Sequence, residues 1–115
     1  MRFVAIIFSL LLMCNETSLA ADRVSRCQIE SNHAIYKGMC VFSPGEMGSF
    51  TLSNPIEGKL LLEGISSVIV IITDKGVAEV RGLTLDGINS RWGEAKRSLR
   101  EKACWVGEDF KICAW

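Results

Sequence analysis

Beyond its first 20 residues, the chain is patterned in short apolar runs broken by Gly, Asn, Asp and Pro. That is the rhythm of an all-β protein. Residues 27–30 and 34–37 alternate in polarity around Ser31-Asn32-His33, which predicts a hairpin turn. Gly38 reads as an interruption before Cys40-Val41-Phe42. Residues 43–48, with Pro44, Gly45 and Gly48, predict a loop, because proline and glycine do not hold a ladder. Residues 49–52 predict another short strand, and Asn54-Pro55 marks a turn. Residues 59–63 suit either a strand or a helical fragment, and their length favours the strand.

The strongest pattern lies at residues 67–73. Val68-Ile69-Val70-Ile71-Ile72 is an unbroken β-branched run, the signature of a mid-sheet strand covered on both faces. Asp74-Lys75-Gly76 turns it back into residues 77–81, with the glycine supplying a positive φ. Residues 85–93 are rich in turn formers and predict an exposed loop. Residues 94–102 are good helix formers, but Leu99 is their only large apolar side chain. A helix there has little to bury, so an edge strand or a short helix is expected.

The last residues define a hairpin with Glu108-Asp109 at its tip. Pairing outward sets Gly107 against Phe110, Val106 against Lys111, Trp105 against Ile112 and Cys104 against Cys113. The cysteines then occupy a non-hydrogen-bonded site, close enough for a disulfide. Cys104, Val106, Lys111 and Cys113 share one face; Trp105, Ile112 and Ala114, with Phe110, turn to the core. Trp115 alternates back to the cysteine side, where it would cover the bridge. The class predicted is a small single-domain antiparallel sheet or barrel-like sandwich.

The amino end carries a different pattern. Met1-Arg2 is followed by an apolar stretch through Met13, too short for the roughly 20 residues a membrane span needs. With Ser18 and Ala20 as small residues before the cut, residues 1–20 are expected to be a secretory signal peptide. A lipoprotein reading acylates Cys14, but Met13 is bulky where that processing wants a small residue. Both readings remove Cys14 from the disulfide count. Cys27, Cys40, Cys104 and Cys113 remain, an even set in an exported chain, which implies two bridges in a periplasmic or secreted protein. We expect Cys27–Cys40, with a bend at Gly38 bringing them together, and Cys104–Cys113. Zinc is disfavoured because no C-x2-C pair exists and His33 is the single histidine.

About 95 residues follow the cut, enough for one domain, which residues 21–115 are expected to form. Lys plus Arg and Asp plus Glu each number 13, for a formal charge of zero. That balance gives no footprint for nucleic acid.

The two ends of the domain also resemble a group of uncharacterised small exported proteobacterial proteins. Those end in an Arg-acidic-Gly-Ala-Cys-Trp-Val-Asn segment followed by Cys-Ala-Trp. The matching residues are Arg100-Glu101, Ala103-Cys104-Trp105-Val106 and Cys113-Ala114-Trp115. Near the start, Cys27, Tyr36 and Gly38-Met39-Cys40-Val41-Phe42 fit the same group. The chain departs at Lys102, where the group has Gly, and at Gly107, where it has Asn. The resemblance implies an exported β-domain with paired cysteines and carries no activity.

No catalytic constellation is legible. His33 sits in a turn, no serine lies in a G-x-S-x-G context, and no two carboxylates share a readable spacing. No glycine loop resembles a phosphate cradle, and no cofactor is expected. Basic residues cluster at Arg91, Lys96, Arg97, Arg100 and Lys102, as a charged edge or as a patch for an acidic partner, lipid or glycan. Asn89, Arg91 and Trp92, followed by Lys96 and Arg100, are the expected binding residues, since Trp and Arg are enriched at hot spots. The leading expectation is a binding module for a protein or envelope component, of which inhibition of an envelope-directed hydrolase is one form. A structural or assembly factor of the envelope is the alternative, and a hydrolase the third. Export processing is checked by intact mass: the mature species should start at Ala21, without Cys14 and without acyl mass.

Overall fold

The structure, a computed structural model, describes residues 21–115; the expected signal peptide and Cys14 lie outside them. Eight strands run in sequence order: β1 (Arg23–Ser31), β2 (Ala34–Pro44), β3 (Phe50–Ser53), β4 (Ile65–Asp74), β5 (Val77–Thr84), β6 (Asn89–Arg97), β7 (Cys104–Val106) and β8 (Phe110–Ala114). Each is antiparallel to the next, and β8 returns to pair with β1 from Cys27↔Ala114 to Ser31↔Phe110. The expected sheet is therefore a closed barrel. One end, here the upper, carries the connections 32–33, 54–64, 85–88 and 107–109. The lower end carries 45–49, 75–76 and 98–103.

Alternation along each strand fills the interior. Ile29, Leu52, Val68, Val70, Val80 and Ile112 are fully buried, and an eight-stranded barrel is just wide enough for such side chains to fill it. Each contributes on the order of 1.5–3 kcal/mol by leaving water. Phe50, Trp105 and Phe110 close the packing toward the ends.

The first hairpin turns at Asn32 (φ 48°) and His33 (φ 74°), the paired left-handed residues of a tight two-residue turn. β2 runs unbroken through Gly38, so no bend forms there. Cys27 faces Gly38, and Cys40 lies one inward position further on, opposite Ser25. The Cys27–Cys40 bridge thus crosses the pair diagonally, a reach that regular register supplies. Ser25, buried beside it, donates its hydroxyl to the Trp115 oxygen. The closing hairpin has the expected register, and Cys104–Cys113 joins β7 to β8 on the outer face.

Five expectations are corrected. Residues 59–63 form no strand: Gly58 (φ 86°) and Gly64 (φ 76°) bend the chain on either side, and only Leu62 makes a single bridge, to Ile65. Leu61 and Leu62 are buried instead as anchors of a long connection. β4 is a mid-sheet strand, but one layer has one dry face, so Val68 and Val70 are buried while Ile71 faces out. Of the expected loop at residues 85–93, only 85–88 is loop, because β6 begins at Asn89. Residues 94–102 are neither helix nor edge: β6 continues to Arg97 between β5 and β7, and a connection follows. The inward positions of β6 after Trp92 are Gly93 and Ala95, small residues that hide the apolar face from a pattern search. Residues 43–48 are loop only from Gly45, with a 3-10 turn at Glu46–Gly48.

At Gly107 the structure gives the glycine a reason. A Cβ there would lie 2.1 Å from the Phe110 ring, so a larger residue has no room beside this phenylalanine where it stands. Gly107→Ala is expected to lower stability by about 1–3 kcal/mol through overpacking. Gly107→Ala in a Phe110→Leu background should cost less, a non-additivity that urea unfolding of the four proteins measures.

Candidate functional site

The upper end is built from connections that are tied down by their own polar groups. In the 85–88 connection, Thr84 donates its N–H to the Ile88 carbonyl at 2.9 Å, and its hydroxyl accepts the Ile88 N–H at 3.0 Å. Gly87 (φ 81°) donates to the Thr84 carbonyl at 3.0 Å. With the backbone satisfied inside the turn, Leu85 (65% exposed) and Ile88 are held out in solvent. The 54–64 connection is fixed the same way. Asn54 accepts the Ile56 N–H at 2.9 Å and donates to the Leu60 carbonyl at 3.0 Å, which presents Ile56 outward. A cleft of about 430 Å³ runs between this connection, Ser66, Ser67 and Leu85.

Trp92 stands beside this apparatus. β5 and β6 shift register between Val80↔Gly93 and Arg81↔Arg91, which leaves Trp92 as the extra residue of a bulge, with Gly93 at φ 122°. A bulge re-aims one side chain. Here it turns the indole inward over Gly82, where a Cβ would come within 2.7 Å of Nε1. The indole also meets the Phe110 ring at 5.8 Å, tilted by 59°. It remains half-buried and forms one wall of a 330 Å³ cleft with Ser31, Asn32, Leu62, Glu63 and Ile65. Trp92 is thus both a packing residue and a cleft wall, not the tip of a loop.

The other expected binding residues separate. Asn89 and Arg91 lie on the outer wall of β6 near the upper end, in one network with β5. Arg81 donates to Glu79 at 2.8 Å and to Asn89 Oδ1 at 3.5 Å, and Arg91 Nε stands 3.7 Å from Glu79. Lys96 and Arg100 are exposed toward the lower end, Lys96 opposite Val77 beside the 75–76 connection and Arg100 in the 98–103 connection. β6 runs the length of the barrel, so residues close in sequence are carried to opposite ends. The sequence reading missed Ile56, Leu85 and Ile88. Its available signal was a large apolar residue inside strong turn chemistry, Asn54-Pro55-Ile56 and Leu85-Asp86-Gly87-Ile88, where no strand face claims it.

Two substitutions separate packing from display. Trp92→Ala removes an indole from the barrel mouth and should cost about 2–3 kcal/mol. Arg91→Ala loses only an exposed ion pair and should cost less than about 1 kcal/mol. Urea unfolding of both variants checks the ranking.

Among the described residues no helix is long and apolar enough to cross a membrane, and no group of three or more His, Cys, Asp or Glu side chains is placed to hold a metal. No protein-family model, curated protein or solved structure matches the chain.

Proposed function

We propose that the protein is a small exported binding module that docks a protein component of the cell envelope through the upper end of its barrel. The observation that carries this reading is the display of Ile56, Leu85 and Ile88 on connections whose backbones are already hydrogen-bonded. Ile56 and Leu85 border one cleft, and grouped exposed apolar side chains mark interaction sites where singly scattered ones do not. Loops fixed before binding lose little entropy on docking, which converts apolar area into affinity. The Trp92 cleft adds an aromatic wall with Asn32, Ser31 and Glu63 at its rim, and Arg91 supplies charge that would speed encounter more than it adds affinity. Two disulfides fit an oxidising compartment, which supports a periplasmic or secreted location. Inhibition of an envelope-directed hydrolase is the concrete form this reading takes, since a rigid apolar loop end suits insertion into a cleft.

The structural-factor reading finds its support in the outer wall of β1 and β2, where Val24, Ile35 and Met39 are exposed. The two readings part in one experiment. Tagged mature protein is incubated with an envelope extract, beside a variant carrying Leu85→Asp and Ile88→Asp. Retention of one stoichiometric protein by the wild type, weakened by at least about tenfold in the variant, is the expected outcome. Equal retention by the variant, or sedimentation of both with peptidoglycan, rejects the upper end as the docking site.

A further inference from the structure

The lower mouth of the barrel has a different chemistry. A cleft of about 190 Å³ is lined by Arg23, Phe42, Gly48, Phe50, Arg97, Ala103, Trp105 and Ala114. Its floor is aromatic: the Phe42 and Phe50 rings stack at 4.7 Å. Over that floor stand two guanidiniums. The Arg23 guanidinium carbon lies 4.4 Å from the Phe42 ring centre, and that of Arg97 lies 5.3 Å from the Trp105 ring centre. Ring faces hold guanidiniums flat by cation–π attraction and leave the in-plane N–H donors free.

Those donors are only partly used. Arg97 Nε donates to the Lys102 carbonyl at 2.7 Å, and Arg23 donates one Nη1 bond to the Trp115 oxygen at 3.2 Å. These bonds fix the orientation of both side chains. Neither arginine lies within 4.0 Å of a side-chain carboxylate; among the described residues, the ion pairs within that distance join Glu79 to Arg81 and Arg91. No acidic side chain lines the cleft. A planar fork with two unengaged amino groups, pre-oriented at the edge of an apolar cleft, is the geometry that takes a carboxylate in two parallel bonds.

The rim indicates where that carboxylate comes from. The two connections bordering the cleft carry Met47 (89% exposed), next to the lining residue Gly48, and Leu99 (99% exposed), in the connection that runs between the lining residues Arg97 and Ala103. A free small anion gains nothing from such side chains, whereas an acidic residue on a protein surface brings apolar neighbours with it. We infer that the lower mouth is a second recognition site, in which Arg97, assisted by Arg23, receives the carboxylate of a Glu or Asp side chain of a protein partner while Met47 and Leu99 pack around it. The site lies at the opposite end of the barrel from the apolar loops and does not depend on them.

The test uses the mature protein with both disulfides formed and three probes: acetyl-Leu-Glu-Leu-amide, acetyl-Leu-Gln-Leu-amide and sodium acetate. Arginine Nε–H and indole N–H resonances report the titrations. The Glu peptide should shift the Arg97 and Trp105 signals saturably, with the Gln peptide weaker by at least about tenfold, the worth of a charge-assisted pair. Arg97→Gln should reduce Glu-peptide binding by a similar factor, and Arg23→Gln by less. Both side chains are exposed, and the thermal midpoint of each variant, expected to match the wild type, shows that the barrel is intact. Arg97→Lys keeps the charge without the fork and should fall between wild type and Arg97→Gln. Equal binding of the Glu and Gln peptides, unshifted mouth resonances, or shifts that survive Arg97→Gln overturn the site. Acetate binding as tightly as the Glu peptide overturns the protein side chain as its source.

Discussion

Everything in this structure depends on β8 reaching back to β1. An open meander of eight short strands would end in two edges, each with a row of unpaired backbone groups inviting another chain. Pairing from Cys27↔Ala114 to Ser31↔Phe110 removes both edges at once and turns a ribbon with two faces into a wall with an inside and an outside. Ile29 and Ile112 meet at that seam, both fully buried, so closure and core formation are the same event.

One of the two disulfides stands where the ladder is least able to hold itself. β7 has three residues and only two register pairs with β6. Cys104–Cys113 ties this short strand to β8, and through β8 to the seam. Cys27–Cys40 ties the other side of the seam to β2. A domain this small has a modest core, and covalent links that limit the unfolded chain stabilise it where apolar area cannot.

Closure also decides where recognition can occur. With the interior filled by side chains, the clefts lie at the ends and on the outer wall, and the two ends differ. The upper end offers Ile56, Leu85 and Ile88 on hydrogen-bonded connections beside the Trp92 cleft. The lower end offers guanidiniums laid on aromatic rings. Strands alternate in direction, so every second connection falls on the same end. Residues far apart in the chain are gathered by that parity alone.

The sequence by itself determined the class, the run of β4, and the closing hairpin with its Cys104–Cys113 bridge. These are local properties: alternation with period two, turn residues at fixed offsets, and a register counted outward from Glu108-Asp109. It also marked Trp92 as a residue of consequence, though not which way the indole points. Tertiary structure alone decided closure, because no residue of β1 or β8 announces a partner that distant along the chain. It decided β6, where one bulge reversed the parity at Trp92 and the small inward residues Gly93 and Ala95 left no apolar pattern to read. It also divided the expected site, sending Asn89 and Arg91 toward one end and Lys96 and Arg100 to the other. A strand rises about 3.3 Å per residue, so nearness in sequence along a strand becomes distance in space, and only the fold assigns each residue its end.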